Sequence, residues 1–113
     1  MSVVLYHNPK CSTSRNALAL LREQGVEPTV VDYLKSGWDR ETLERLASKT
    51  GFGLSGLLRK KEADAKALLD AGADDEPILA AAITQPILIE RPIVETHKGA
   101  VIGRPVERVL EVL

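Results

Sequence analysis

The chain has 113 residues, of which 44% are hydrophobic and 27% are charged. This composition is typical of one compact domain, here expected over residues 1–113, and it excludes a disordered chain. Fifteen basic and sixteen acidic residues leave a net charge of −1, which argues against a nucleic-acid-binding surface. The apolar runs are short, whereas a membrane-spanning helix needs ~20 apolar residues, so we expect a soluble cytoplasmic protein with no membrane partner.

The first 33 residues predict a β-α-β unit. Residues 3–6 form an apolar run before Asn8-Pro9, which is typical of a strand covered on both faces. The hydroxyl side chains at 12–14 are suitable caps for a helix that ends at Gly25. Residues 29–33 predict a second strand, which a right-handed crossover makes parallel to the first.

The middle of the chain predicts a helical insertion over about residues 38–85. Asp39 is the expected cap of a helix that ends at Gly51, and residues 54–58 predict a short turn. Residues 62–71 predict an Ala-rich helix. Asp75 is the expected cap of the last helix, which ends before Pro86 and whose predicted inward residues are Ile78, Leu79, Ala82 and Ile83.

The end of the chain predicts a hairpin and a helix. Residues 92–96 and 100–102 flank a turn, and residues 87–89 are a further candidate strand. After Pro105, the expected helix has a stripe formed by Val106, Val109, Leu110 and Leu113. The order βαβ, helical middle, ββα predicts an α/β fold, namely a thioredoxin-like mixed sheet with a helical insertion between its two halves.

Cys11 is the single cysteine, and it lies where the first helix is expected to begin. Free N–H groups and the helix dipole stabilise a thiolate there and lower a thiol pKa from ~8.5 towards ~3.5–7.5. The alternative is an inert residue packed beneath the sheet. The polar residues at 8–10 and 12–15 are poor surroundings for a buried apolar residue and favour a reactive thiol.

The spacing around Cys11 excludes two kinds of thiol chemistry. Tyrosine-phosphatase chemistry needs an arginine six residues after the cysteine, where this chain has Ala17. Dithiol redox chemistry needs a second cysteine three residues after the first, where this chain has Ser14. A redox cycle at Cys11 therefore needs an external thiol.

Four segments closely resemble the glutaredoxin-coupled arsenate reductase family. They are residues 6–16 (YHNPKCSTSRN), 57–60 (LLRK), 86–94 (PILIERPIV) and 103–105 (GRP). Four motifs in the right order are far harder to meet by chance than one. The resemblance implies a thioredoxin-like fold in which Arg91-Pro92 takes the place of the cis-proline beside the active thiol.

The resemblance also implies a reaction and its residues. The Cys11 thiolate attacks arsenate, which Arg59, Arg91 and Arg104 hold together with Ser14, and His7 lies near the thiolate and helps to keep it ionised. Glutathione is the implied reducing cosubstrate, and glutaredoxin is the implied partner that resolves the mixed disulfide. No metal and no bound organic cofactor is implied.

Each arginine also has a structural interpretation. Arg59 adjoins two lysines and suits a solvated charged face, and Arg104 can bind carbonyl groups at a turn. Arg91 is flanked by apolar residues, where a charge is costly unless an anion or a carboxylate meets it. Two other functions stay open: a glutathione-dependent thiol transferase with another substrate, and a non-enzymatic interaction protein such as a polymerase-binding regulator.

Overall fold

The computed structural model describes residues 2–113. The chain divides into two compact units. The first contains the described residues up to Ser36 together with Arg91–Leu113, and the second is Gly37–Glu90. The prediction of a single domain over residues 1–113, with an insertion over about 38–85, stays a prediction.

The first unit is built on a four-stranded mixed sheet. Its strands are β1 (Val4–His7), β2 (Thr29–Asp32), β3 (Ile93–Thr96) and β4 (Gly99–Ile102), in the order β2-β1-β3-β4. Strand β1 is parallel to β2 and antiparallel to β3, which pairs with β4 in a hairpin. The predicted parallel β-α-β unit and the predicted hairpin are therefore confirmed.

Two α-helices belong to this unit, α1 (Ser12–Glu23) and α2 (Tyr33–Ser36). Tyr33 thus begins α2 and does not end β2. Cys11 is the N-cap residue of α1 and no side chain caps that end, so the predicted hydroxyl cap at 12–14 is wrong. Helix α1 packs on the sheet through a buried cluster formed by Val3, Leu5, Ala17, Leu21, Val94, Val101, Val109 and Val112.

The last helix, Val106–Val112, is a 3₁₀ helix. Because a 3₁₀ helix has three residues per turn, Val106, Val109 and Val112 share one face. Val109 and Val112 are buried, whereas Leu110 is 41% exposed. The predicted stripe therefore had the wrong period, and Val112 takes the inward place that we assigned to Leu110.

The second unit consists of helices and turns. Its α-helices are α3 (Arg40–Thr50), α4 (Ala63–Asp70) and α5 (Asp75–Thr84), and its 3₁₀ helices are Ser55–Leu57 and Pro86–Leu88. The Asp39 carboxylate accepts a hydrogen bond from the Thr42 N–H, and Gly51 ends α3 with a φ of 78°, as predicted.

Three predictions for the second unit are wrong. The N-cap of α5 is Asp74, one residue before the predicted cap. Ile83 is 45% exposed, so it does not belong to the inward face of that helix. Residues 87–89 add no strand to the sheet, because they end a 3₁₀ helix and only Ile89 forms an isolated bridge, with Leu58. Across residues 2–113, no helix has the length and apolar character needed to cross a membrane.

Candidate active site

A tight turn fixes Cys11 between β1 and α1. The N–H of Cys11 donates to the Asn8 carbonyl oxygen at 3.0 Å, and the N–H of Lys10 donates to Asn8 Oδ1 at 3.0 Å. The Arg15 N–H donates to the Cys11 carbonyl oxygen and so begins the helix. Asn8 itself is buried. The thiol therefore stands at the start of α1, as predicted, with its backbone held on both sides.

The Ser14 hydroxyl is buried beneath this turn. The Asn8 N–H donates to Ser14 Oγ at 3.1 Å, and His7 Nδ1 lies 2.6 Å from the same oxygen. Burial lowers the pKa of His7 below its ordinary value; the charge of Asp32 opposes this shift and that of Arg15 adds to it. Burial therefore favours the neutral imidazole, and His7 contacts the Cys11 loop through Ser14; its role in keeping the thiolate ionised stays a prediction.

Two arginines converge on the sulfur of Cys11. Arg104 Nη2 donates to Cys11 Sγ at 3.4 Å, and the Arg91 guanidinium also hydrogen-bonds the thiol. Arg104 Nε donates to the Arg91 carbonyl oxygen at 2.7 Å, so one arginine positions the other. The structure thus brings together Cys11, Arg91 and Arg104, three of the residues singled out from the sequence.

The segments that carry these arginines lie against each other. The Gly103 N–H donates to the Pro92 carbonyl oxygen at 2.8 Å. A Cβ at Gly103 would lie 2.9 Å from both Pro92 Cγ and Val109 Cγ1, so only glycine permits this approach. The Arg91-Pro92 peptide bond is cis, as predicted, and so is the Arg104-Pro105 bond, which we did not predict.

These contacts change the ionisation of Cys11. Burial by itself raises the pKa of the thiol. Hydrogen bonds from the Ser14 backbone N–H and the Arg91 guanidinium, together with the charges of Arg104 and Arg91, outweigh burial and hold the pKa below its ordinary value. Cys11 is partly exposed. The arrangement favours the thiolate form of Cys11 beside two guanidinium groups.

Arg59 belongs to the second unit. Its Nη1 lies 2.5 Å from Glu90 Oε1, and its side chain is only 13% exposed, which contradicts the interpretation as a solvated face. The Arg59 N–H donates to the Leu88 carbonyl oxygen, and the Glu90 N–H donates to that of Leu57. The assignments of Arg59 and Ser14 to arsenate stay predictions.

The sequence reasoning missed two contacts that shape the loop. It gave Asn8 no role, although its side chain and both of its backbone polar groups hold the turn. It also missed that Arg15 Nη1 donates to the Pro9 carbonyl oxygen at 2.9 Å. Asn followed by Pro is a turn signal, and it would have indicated the first contact. Within residues 2–113, no group of three or more His, Cys, Asp or Glu side chains has the arrangement of a metal site.

Comparison with known proteins decides the family. Residues 6–112 match the ArsC family. The chain belongs to this family. An arsenate reductase of Rhizobium meliloti (strain 1021) is 43% identical over 115 residues, which cover 100% of this chain and 82% of that protein. The uncharacterized protein YfgD of Escherichia coli (strain K12) is 45% identical, over 98% of this chain and 96% of that protein.

A solved structure supports the same assignment for this ArsC-family chain. The structure of an arsenate reductase from Vibrio cholerae matches it with a TM-score of 0.91 and 46% identity, over 100% of this chain and 98% of that one. The predicted family and the predicted thioredoxin-like fold are therefore confirmed.

Proposed function

We propose that this protein is an arsenate reductase whose nucleophile is Cys11. The observation that carries the proposal is the pair of guanidinium groups of Arg91 and Arg104 on the sulfur of Cys11. Guanidinium forks bind pairs of oxygens on a tetrahedral oxyanion and stay charged at any working pH. Relatives named arsenate reductase, 39–43% identical to this chain, support the choice of arsenate among such anions.

The proposed first step is attack by the Cys11 thiolate on the arsenic atom. A sulfur–arsenic bond forms, and one arsenate oxygen leaves as water after it takes up protons. The two arginines lower the barrier because they neutralise the oxyanion, which an anionic sulfur otherwise cannot approach. His7 and Ser14 keep the sulfur in position, since the Ser14 N–H binds the thiolate while its hydroxyl is held by His7.

The proposed second stage uses external thiols, because the chain has no second cysteine. Glutathione forms a disulfide with the sulfur of Cys11, and the electron pair of the broken sulfur–arsenic bond stays on arsenic, which leaves as arsenite. Glutaredoxin then resolves the mixed disulfide and returns the Cys11 thiolate. Two thiols are oxidised to one disulfide for each arsenic that gains two electrons.

A coupled assay tests the proposal. Glutathione, glutaredoxin and glutathione reductase are supplied, and NADPH consumption is followed with and without arsenate. We expect arsenate-dependent consumption that needs both thiol partners, disappears in Cys11→Ser and is reduced in Arg59→Gln. The matched control is Arg22→Gln, because Arg22 is exposed and pairs only with Glu27 near the other end of α1.

The alternative as a thiol transferase gives a different result. In that case Cys11 still reacts with alkylating reagents at low pH, but arsenate neither drives NADPH consumption nor protects the thiol from alkylation. A folded protein with this behaviour would refute the assignment of arsenate as substrate.

A further inference from the structure

Two cationic residues, Lys10 and Arg15, lie near Cys11 in the sequence and are not among the groups that lower its pKa. Both are exposed, and the groups that do lower the pKa of Cys11 are Ser14, Arg91 and Arg104. Among residues 2–113, no carboxylate pairs with Lys10 or Arg15. Their positive charges are therefore available to a ligand from solution.

Both residues belong to the segment around Cys11. Lys10 directly precedes Cys11, and its backbone is fixed by the bond from its N–H to Asn8 Oδ1. Arg15 lies one helical turn after Cys11, and its guanidinium turns back to donate to the Pro9 carbonyl oxygen. That bond uses one of the five N–H groups of the guanidinium, so the fork keeps donors for an anion.

We propose that Lys10 and Arg15 bind a carboxylate of glutathione while its sulfur reacts at Cys11. The inference rests on the proposed reaction of glutathione at Cys11. Glutathione carries a carboxylate at each end and its thiol in the middle, and exposed cations beside the target sulfur suit this shape. In the proposed reaction, the glutathione thiolate forms a sulfur–sulfur bond with Cys11 while the sulfur–arsenic bond breaks, and arsenic keeps the electron pair. If Cys11 instead carries a disulfide, that sulfur–sulfur bond breaks and the second sulfur leaves as a thiolate.

The test uses the Cys11 methyl disulfide, prepared with methyl methanethiosulfonate. Its loss is followed by mass spectrometry with glutathione and, separately, with uncharged 2-mercaptoethanol. We expect the ratio of the two rate constants to fall about two- to fivefold in Lys10→Gln and in Arg15→Gln, the range for an exposed charge pair. The rate with 2-mercaptoethanol should stay near that of the wild type, and this also controls for misfolding.

Arg22→Gln is the matched control, since it removes one exposed positive charge from the same helix. Arg22 lies about 16 Å from Cys11 at 1.5 Å per residue, well beyond the screening length of about 8–10 Å. An unchanged ratio in Lys10→Gln and Arg15→Gln, or an equal fall in Arg22→Gln, would overturn the inference. Arsenate does not enter the assay, so failure of arsenate reduction leaves this result intact.

Discussion

Replacement of Arg104 by glutamine removes its positive charge and tests what that charge contributes to the ionisation of Cys11. Arg104 donates to Cys11 Sγ at 3.4 Å and to the Arg91 carbonyl oxygen at 2.7 Å. Glutamine removes the charge beside the sulfur, so we expect the pKa of Cys11 to rise. The thiolate population at neutral pH should fall accordingly.

The structure sets the size of this effect. Two unit charges 3.4 Å apart interact by about 1 kcal/mol in water and by about 5 kcal/mol at an effective dielectric constant of about 20. Cys11 is partly exposed, so the value lies near the lower limit. A loss of about 1–2 kcal/mol corresponds to an approximately tenfold smaller thiolate fraction at any pH well below the midpoint of titration.

Alkylation of Cys11 by uncharged iodoacetamide measures this fraction as a function of pH. In Arg104→Gln the midpoint should move to higher pH, while the rate on the alkaline plateau stays similar because the same thiolate reacts. Arg104→Lys keeps the charge and should show a smaller shift. If the midpoint of Arg104→Gln equals that of the wild type while its fold is intact by circular dichroism, the assigned role of Arg104 is refuted.

Three further outcomes follow from the same contacts. Ser14→Ala removes two buried hydrogen bonds and should lower the free energy of unfolding by about 1–3 kcal/mol in urea titration, where no change would contradict the buried network. Gly103→Ala forces a Cβ against Pro92 and Val109 and should cost about 1–3 kcal/mol, whereas a neutral substitution would show that the segments separate easily. The folded pKa of Cys11 lies below its unfolded value, so the thiolate stabilises the fold at high pH, and this contribution is lost as the pH falls through the folded pKa. In Cys11→Ser this part of the pH dependence of stability should disappear; its persistence would assign it to other groups.

The elements of the sheet could be predicted because each rests on a local signal. Asn8-Pro9 follows the apolar run of β1, and the turn between residues 96 and 100 separates β3 from β4. The last helix was mistaken because its apolar residues fit a period of 3.6 nearly as well as a period of 3. Val112 decides between the two, and its burial depends on packing against β3 and β4, which the local pattern does not contain.

The site could be predicted only in part, and for a related reason. Residue type and position indicated Cys11, and the resemblance added Arg91 and Arg104. The sequence did not indicate the contacts of Ser14. Its N–H hydrogen-bonds the sulfur of Cys11, while its hydroxyl oxygen hydrogen-bonds His7 and accepts from the Asn8 N–H. The sequence also did not indicate the lowered pKa of His7, since it depends on burial and on the opposing charge of Asp32, which is opposite His7 in β2.

The guanidinium groups of the first unit bear on the repulsion between a thiolate and an anionic ligand. Arg91 and Arg104 bring two guanidinium groups to the sulfur of Cys11. Positive charge beside a thiolate reduces its repulsion of an approaching anion. Arg59 differs, because Glu90 already compensates its charge. Arg91 and Arg104, in contrast, act on the Cys11 thiol through hydrogen bonds and charge.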